Sequence, residues 1–475
     1  MWGHLQRYGA VFLLALPTVL AFFSGGYFAT ARLVAGVLAW IAAATGLALA
    51  PNPLPRSGPG RLALAGLALL SLVTGLSILW APLAAIAQGD FQRLLLYLGA
   101  LLASVAFLRG RFGLRVVEPA LCVGILVVIG YALAGRYFPG FVVEAASRTA
   151  AGRLEQPLTY WNAVGALAAV GVVLAVRLAG DRSREARLSA CAAAAVVPLG
   201  LGVYLSFSRG ALLAVVLGVL VVVAVAGDRA QLRVLAAVVP AAVAACLVAG
   251  FLPGVRALEG SAGSRAAQGL VMLAVTATAM AASAAFARRL LGGAPGRPLK
   301  VPRGIVAAVT VLIVGGALLA VVGTGSGGGE PRYGADTRRL ASLESNRYDY
   351  WKESAQMLAA HPLLGEGSGA FRVAWRRDYT SLDPALDAHS LPVETAGELG
   401  VLGLLALAAF LGGAAWSVVR LGRADRTLAA GAAGALSALA LHASMDWDWE
   451  MPAVALVGVA LLGAVAAALD GPQEP

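Results

Sequence analysis

Long apolar runs separated by short polar loops make up most of this 475-residue chain. Most runs reach the roughly 18–25 residues that cross a hydrocarbon core about 30 Å thick. Each run should be a helix, because only a helix closes its backbone hydrogen bonds within one segment. The pattern predicts about fourteen spans, near residues 8–24, 28–49, 62–80, 93–108, 116–135, 160–177, 188–206, 211–227, 234–252, 268–287, 304–323, 396–418, 427–445 and 451–469.

One stretch, about residues 324–398, is polar, rich in arginine and studded with aromatic residues. A helix is predicted from about residue 346 to 360. Its predicted buried face lies on an apolar surface and carries, at three- and four-residue steps, Tyr348, Trp351, Ala355 and Leu358. The sequence thus divides into a transmembrane bundle at 1–323 with about eleven spans, a large, partly helical loop at 324–395, and C-terminal transmembrane helices at 396–475.

Composition supports a membrane protein. Hydrophobic residues make up 59% of the chain and charged residues 13%, far from the roughly 25% charged residues of soluble domains. The predicted fold is therefore an all-α, polytopic membrane bundle of about 12–14 transmembrane helices. Three scattered cysteines, each in an apolar run, predict packing rather than a metal site or a disulfide framework.

The net charge of +11 raises the question of nucleic acid, but the basic residues are spread over many loops. Alternate loops carry more than half of the 36 Lys and Arg residues. Because cytoplasmic loops are enriched in Lys and Arg, those loops are predicted to be cytoplasmic and both termini inside. The 324–398 stretch is then extracytoplasmic, and no nucleic-acid partner is expected.

Candidate chemistry gathers at the outer boundary. Guanidinium groups bind phosphate oxygens at two points, and imidazole titrates in the range useful to a general base. Arg209, Arg347 and His389 are residues of the right type for transfer from a lipid diphosphate. The alternatives are a snorkelling interfacial arginine at Arg209 and a capping or packing histidine at His389.

Three shorter stretches are predicted to be external, namely Arg136–Asn162, Ser206–Gly210 and Asp446–Glu450. Tyr160 and Trp161 begin a predicted span, a position typical of interfacial anchors. Asp446 and Asp448 lie between the last two spans, where they favour a capped interfacial turn over a divalent-ion site.

The combination and order of several motifs resemble the O-antigen ligase and O-antigen polymerase superfamily. The likeness covers roughly residues 150–460. Ser390 stands where that family commonly has Asn. The motifs are Arg153…Trp161-Asn162, Ser206-Phe-Ser-Arg-Gly210, Arg347…Trp351…His361-Pro-Leu-Leu-Gly-Glu-Gly367, Ala388-His-Ser-Leu391…Glu398-Leu-Gly400 and His442…Asp446.

This resemblance implies a GT-C-type glycosyltransferase in the bacterial cytoplasmic membrane. It would take a glycan from undecaprenyl diphosphate on the outer face and pass it to a hydroxyl of a glycolipid, glycan or other acceptor, without metal, cofactor or nucleotide sugar. Membrane lipids are its other expected partners. His389 matches the proposed base, and Arg209 and Arg347 match arginines thought to grip the diphosphate, with Arg153 in the earlier donor segment. The expected supporting residues are Glu394, Glu398, Trp351, Tyr348 and Ser208.

In the predicted mechanism, the acceptor oxygen displaces undecaprenyl diphosphate with inversion, and Glu394 or Glu398 orients the imidazole. A polymerase would use the same donor with a second lipid-linked glycan as acceptor. A polysaccharide transporter or flippase is disfavoured because the spans hold almost no mid-span ionisable residues. A metal-dependent relative is disfavoured because the loop after the first span, Ser24–Thr30, contains no acid.

Overall fold

The computed structural model describes residues 1–142, 150–291, 315, 334–336, 346–378 and 385–471. These residues form sixteen α-helices and a few short 3-10 turns, with no β-strand in this part of the chain. Up to residue 291 the helices are α1 (Trp2–Ala21), α2 (Ala29–Leu49), α3 (Gly58–Ser77), α4 (Ala84–Phe107), α5 (Leu114–Tyr137), α6 (Trp161–Gly180), α7 (Ala186–Leu205), α8 (Arg209–Ala226), α9 (Arg229–Phe251), α10 (Pro253–Arg256) and α11 (Ala262–Leu291). From residue 346 they are α12 (Arg347–Ala360), α13 (Phe371–Asp378), α14 (Leu391–Ala424), α15 (Arg426–Ala443) and α16 (Pro452–Leu469).

Eleven of the described helices are long and apolar enough to cross a membrane, namely α2 to α9, α11, α14 and α16. Helices α1 and α15 also pack in the bundle, but polar ends and many small residues lower their hydropathy. The predicted class, an all-α polytopic membrane bundle, is confirmed. Every predicted span falls on a helix except 304–323, which lies outside the described residues apart from residue 315.

Helix α4 begins earlier than the predicted span at 93–108. It starts at Ala84 and includes Arg93, which is buried. The cation is tolerated because Asp90 pairs with it at 3.0 Å and Glu450 contacts its other nitrogen. The predicted span begins at Arg93 and misses residues 84–92, because hydropathy does not register that Asp90 and Glu450 neutralise this charge.

Close packing fixes which helix ends meet. Helices α8 and α15 run antiparallel, and their backbones touch where Gly218 faces Gly434. A Cβ at Gly434 would lie 2.6 Å from the Gly218 carbonyl oxygen. Small residues allow this approach between membrane helices. The crossing brings the start of α8, at Arg209, beside the end of α15, at His442; we call this end of the bundle the site end.

A break in α14 is filled by the preceding loop. Gly400 has φ 63°, a left-handed conformation that suits glycine. The amides of Val401 and Leu402 bond instead to the carbonyls of Pro362 and Leu363, at 2.9 and 3.2 Å. The His361–Gly367 motif and the Glu398-Leu-Gly400 motif are therefore two halves of one structural joint.

The predicted buried face of α12 is wrong. The helix buries Tyr350, Glu353, Ser354 and Met357, whereas Ala355 is exposed. The buried face rests on protein, against the aromatic side chains of α13 and the backbone of α14 near Gly397. A face that includes a carboxylate cannot be found from apolar periodicity.

Candidate active site

His389 projects from a strained loop between α13 and α14. Its φ is 55°, and its Nδ1 lies 3.0 Å from the Asp387 carbonyl oxygen. Because a carbonyl only accepts, Nδ1 carries a proton and Nε2 is left with its lone pair in the neutral ring. The ring lies 5.3 Å from that of Tyr350. Glu394 is one of the two carboxylates predicted to orient the imidazole. It instead accepts the amide of Ala388 at 2.8 Å and so holds the loop.

A buried carboxylate, Asp446, lies at the centre of the site end. Arg347 donates to its Oδ2 at 2.7 Å, and Asn162 donates to the same oxygen at 2.7 Å. Tyr160 and the amide of Trp447 donate to Oδ1, at 2.5 and 2.9 Å. Asp446 is 2% exposed, so these four bonds replace its water shell. We call Asp446 and its four donors the Asp446 hub.

The negative charge of Asp446 is balanced by Arg347. Burial alone would raise the pKa of Asp446, but Arg347 and then His389 hold that pKa below its usual range. The His389 ring lies 5.3 Å from that of Tyr350, which is on the same helix as Arg347. Burial and the Asp446 carboxylate raise the pKa of Tyr160 well above its usual value, so this phenol remains a hydrogen-bond donor. The predicted interfacial role of Tyr160 is wrong, because the residue is buried against Asp446.

Arg209 and Ser208 lie at the adjoining start of α8. Ser208 is the N-cap, and its Oγ accepts from the Ala211 amide at 3.3 Å. The same Oγ lies 3.3 Å from Nε2 of His442, whose Nδ1 bonds with Asp448. Arg209 is the first residue of the helix and is half-buried.

Arg153 lies on the other flank of the hub. Its guanidinium carbon is 3.5 Å from the ring centroid of Trp161, the residue between Tyr160 and Asn162. Arg153 is 2% exposed, so in this conformation it supports the Asp446 hub by packing on Trp161. All three predicted arginines thus lie at the site end, and Arg347 pairs directly with Asp446.

The remaining predicted supporting residues have mainly structural contacts. Glu398 accepts the amides of Gly369 and Phe371, at 2.9 and 3.1 Å, and so caps α13. Trp351 packs against the aromatic cluster of α12 and α13. Tyr348 is half-buried, and the aromatic ring beside the imidazole belongs to Tyr350 instead.

A second polar cluster borders the site. Arg93 bridges Asp90 and Glu450, and Ser368 donates to Asp90 at 2.7 Å. The cluster ties α4 to the loop before α13 and to the turn after α15. Among the described residues, no group of three or more His, Cys, Asp or Glu is placed to hold a metal ion.

An apolar groove of about 1050 Å³ runs between α14, α15 and α16. Its lining at the site end includes Leu391 and Pro392, which closely follow His389, together with Asp448 and Trp449. The opposite end reaches Arg423 and Arg426. Val419 on its rim is 50% exposed, so the groove opens on the lipid-facing side of the bundle.

Several residues of the site were not predicted. The sequence suggested a capped interfacial turn at Asp446 and Asp448, but both are buried and bonded to Arg347 and His442 respectively. Tyr350 was not predicted as a site residue, because the sequence pattern indicated a different buried face for α12. Two signals were available: the His442…Asp446 motif, and the density of acids and aromatics in the five residues Asp446–Glu450, which is unusual between two apolar spans.

The fold and site define a multi-pass helical membrane protein with a cationic and imidazole-bearing site at one end of its bundle. Residues 261–408 match the family model described as O-Antigen ligase. The match includes Arg347 and His389, and it confirms the resemblance to the O-antigen ligase superfamily over this range. That family comprises glycosyltransferase-like ligases and polymerases, whose partners are in general lipid-linked glycans and glycan acceptors. No curated protein matches the chain.

Proposed function

We propose that this chain is an O-antigen ligase-like glycosyltransferase. It transfers a glycan from undecaprenyl diphosphate to an acceptor hydroxyl, with inversion at the anomeric carbon and without a metal ion. The observation that carries the proposal is the geometry around α12, where Arg347 pairs with Asp446 at 2.7 Å and the His389 ring lies 5.3 Å from that of Tyr350, three residues after Arg347 on the same helix. A base and a phosphate-binding cation are the two groups that such a transfer requires.

His389 supplies the base. With Nδ1 bound to the Asp387 carbonyl, the neutral ring presents Nε2 to an acceptor hydroxyl. Nε2 takes the hydroxyl proton as the acceptor oxygen bonds to the anomeric carbon. The bond from that carbon to the diphosphate oxygen breaks with its electron pair, and the imidazolium later returns its proton to solvent.

Arg347 and Arg209 stabilise the departing diphosphate. Negative charge grows on this group in the transition state, and cations fixed beforehand lower the barrier because they need not reorganise. The Asp446 hub holds Arg347 in place, with its side chain 22% exposed, so the guanidinium is fixed and still reachable. Arg153 supports this arrangement through Trp161.

The apolar groove suits the polyprenyl chain of the donor. It is open toward lipid, and its lining at the site end includes residues next to His389. A chain lying there would bring its diphosphate up to the arginines. The arginine-rich loops at the opposite end favour the cytoplasmic side, so the proposed active site faces the outside of the bacterial cytoplasmic membrane.

The test is transfer in lipid nanodiscs from undecaprenyl diphosphate carrying a short labelled glycan. One arm supplies a lipid-linked core glycan as acceptor, and a second supplies only the donor. Wild type is compared with His389→Ala and with the matched control His361→Ala, an exposed histidine at the end of α12. Parallel reactions contain EDTA.

We expect His389→Ala to lower turnover about 10²- to 10⁴-fold, the usual contribution of a general base. His361→Ala and EDTA should leave the rate near that of wild type. Product in the first arm indicates a ligase, and chain growth in the donor-only arm indicates a polymerase. Near-normal turnover by folded His389→Ala would refute the assignment of the base, and loss of transfer in EDTA would refute the metal-free mechanism.

A further inference from the structure

We infer that His442 is a positioning residue that couples the two arginines proposed to hold the donor diphosphate. The inference rests on the proposed function. It assigns a role to a second imidazole, 1% exposed, which takes no part in the proposed proton transfer from the acceptor. The geometry joins the start of α8 to the Asp446 hub through a chain made of buried side-chain contacts from Ser208 to Asp448 and then of the short backbone turn from Asp448 to Asp446.

The first half of the chain holds Arg209. Nε2 of His442 lies 3.3 Å from Oγ of Ser208, the residue before the arginine. On the other side, a Cβ at Gly210 would lie 3.1 Å from the same Nε2. The imidazole therefore touches both neighbours of Arg209, and glycine leaves the space for that contact.

The protons along the chain can be assigned. Ser208 Oγ accepts from the Ala211 amide, and its own hydroxyl proton is free to point at Nε2. Nδ1 of the neutral ring then carries the proton and donates to Oδ2 of Asp448. A protonated ring would donate at both nitrogens, and Ser208 would turn its proton away. In both protonation states, His442 remains hydrogen-bonded to Ser208 and to Asp448.

The second half of the chain holds Arg347. Asp448 and Asp446 flank Trp447 in one short turn, and Asp446 pairs with Arg347 at 2.7 Å. Ser208, Asp448 and Asp446 are each 2–3% exposed. Water cannot readily replace a lost bond at this depth, so a change at one end of the chain is transmitted to the other.

A fixed separation between the two guanidinium groups matters for one class of ligand. A diphosphate presents two charged phosphate groups, whereas a monophosphate presents one and can use a single arginine. Preorganised spacing therefore raises affinity for the diphosphate more than for the monophosphate. The ratio of these two affinities measures positioning, and a general loss of stability does not imitate it.

The experiment measures binding of undecaprenyl diphosphate and undecaprenyl monophosphate, both without glycan, to the full-length chain in zwitterionic nanodiscs. The variants are Ser208→Ala, which removes one hydroxyl, and His442→Asn, whose amide can still reach Asp448 but not Ser208. The matched control is Ser71→Ala, which removes a buried hydroxyl bonded at 2.8 Å to the Leu67 carbonyl within α3, away from the groove. Melting temperature in detergent identifies variants that fold.

We expect wild type to prefer the diphosphate, and Ser208→Ala and His442→Asn each to lower that preference about tenfold, which is about 1.4 kcal/mol. Ser71→Ala should keep the wild-type ratio. If both variants fold and keep that ratio within about twofold, the inference is wrong although the donor site stands. If wild type itself shows no preference for the diphosphate, the proposed donor site fails. Should His442→Asn not fold, Ser208→Ala decides the matter.

Discussion

Arg347 and Asp446 are 99 positions apart in the chain and form an ion pair of 2.7 Å at the site end. A second pair, Arg377 with Asp378, has almost the same length, 2.8 Å, but its side chains are 59% and 40% exposed. The two ion pairs have similar lengths, but the side chains of the first are largely buried and those of the second are exposed. Exposed pairs contribute about 0–1 kcal/mol, whereas breaking a buried pair leaves an uncompensated charge and costs about 3–5 kcal/mol.

The first prediction uses that contrast. Asp446→Asn should lower glycan transfer at least about tenfold and also lower the melting temperature, because Arg347 loses its anchor while Tyr160 and Asn162 face a neutral amide. Asp378→Asn should change the rate by less than about twofold. Transfer assays and thermal melts of both variants check this; equal effects would show that burial of the hub carries no catalytic consequence.

The second prediction concerns the arginine at the start of α8. Arg209→Lys should reduce transfer about ten- to hundredfold, because an ammonium group cannot reproduce a two-point contact with phosphate. Arg376→Lys, at an exposed position on α13, is the control and should stay near the wild-type rate. Initial rates at saturating and limiting donor would check the result, and indistinguishable losses would remove Arg209 from the donor site.

The third prediction concerns the joint between α14 and the loop before α13. Gly400→Ala should lower the melting temperature, because a Cβ at φ 63° would lie 2.6 Å from the Leu363 carbonyl. Strain of this kind costs about 1–3 kcal/mol before the clash is counted. Gly412→Ala in the same helix meets no atom within 4 Å and should be neutral or slightly stabilising. Equal melting temperatures for the two variants would contradict the close contact between Gly400 and the Leu363 backbone.

Helix positions could be predicted from the sequence because crossing a membrane demands a long apolar run, a local property. The start of α4 could not, since burial of Arg93 depends on Glu450, far along the chain. The same limit applies to α12, whose buried Glu353 interrupts the apolar periodicity that a sequence reveals.

The candidate site was predictable only in part. His389 and Arg347 carry chemistry in their side-chain type, and the motifs around them marked them. The Arg347–Asp446 pair and the Ser208–His442 contact arise from pairing across 99 and 234 positions. A single sequence gives no measure of such distances, so the turn holding Asp446 was predicted to be an interfacial cap.

The fourth prediction concerns Glu353, buried on the inner face of α12. Burial raises its pKa above 4.5, and the Asp378 carboxylate adds to the rise while Arg377 opposes it. The folded state then binds this proton more tightly than the unfolded state, so the stabilisation is complete below pH 4.5 and is lost as pH rises through the raised pKa. Glu353→Gln should therefore match wild type near pH 4 and melt at a higher temperature at pH 8, whereas Glu259→Gln, at an exposed carboxyl, should track wild type at both pH values. Melting temperatures in detergent across this range check the sign. A Glu353→Gln variant that melts lower than wild type at pH 8 would mean that the ionised carboxylate is stabilised by its surroundings, and that burial does not dominate at this position.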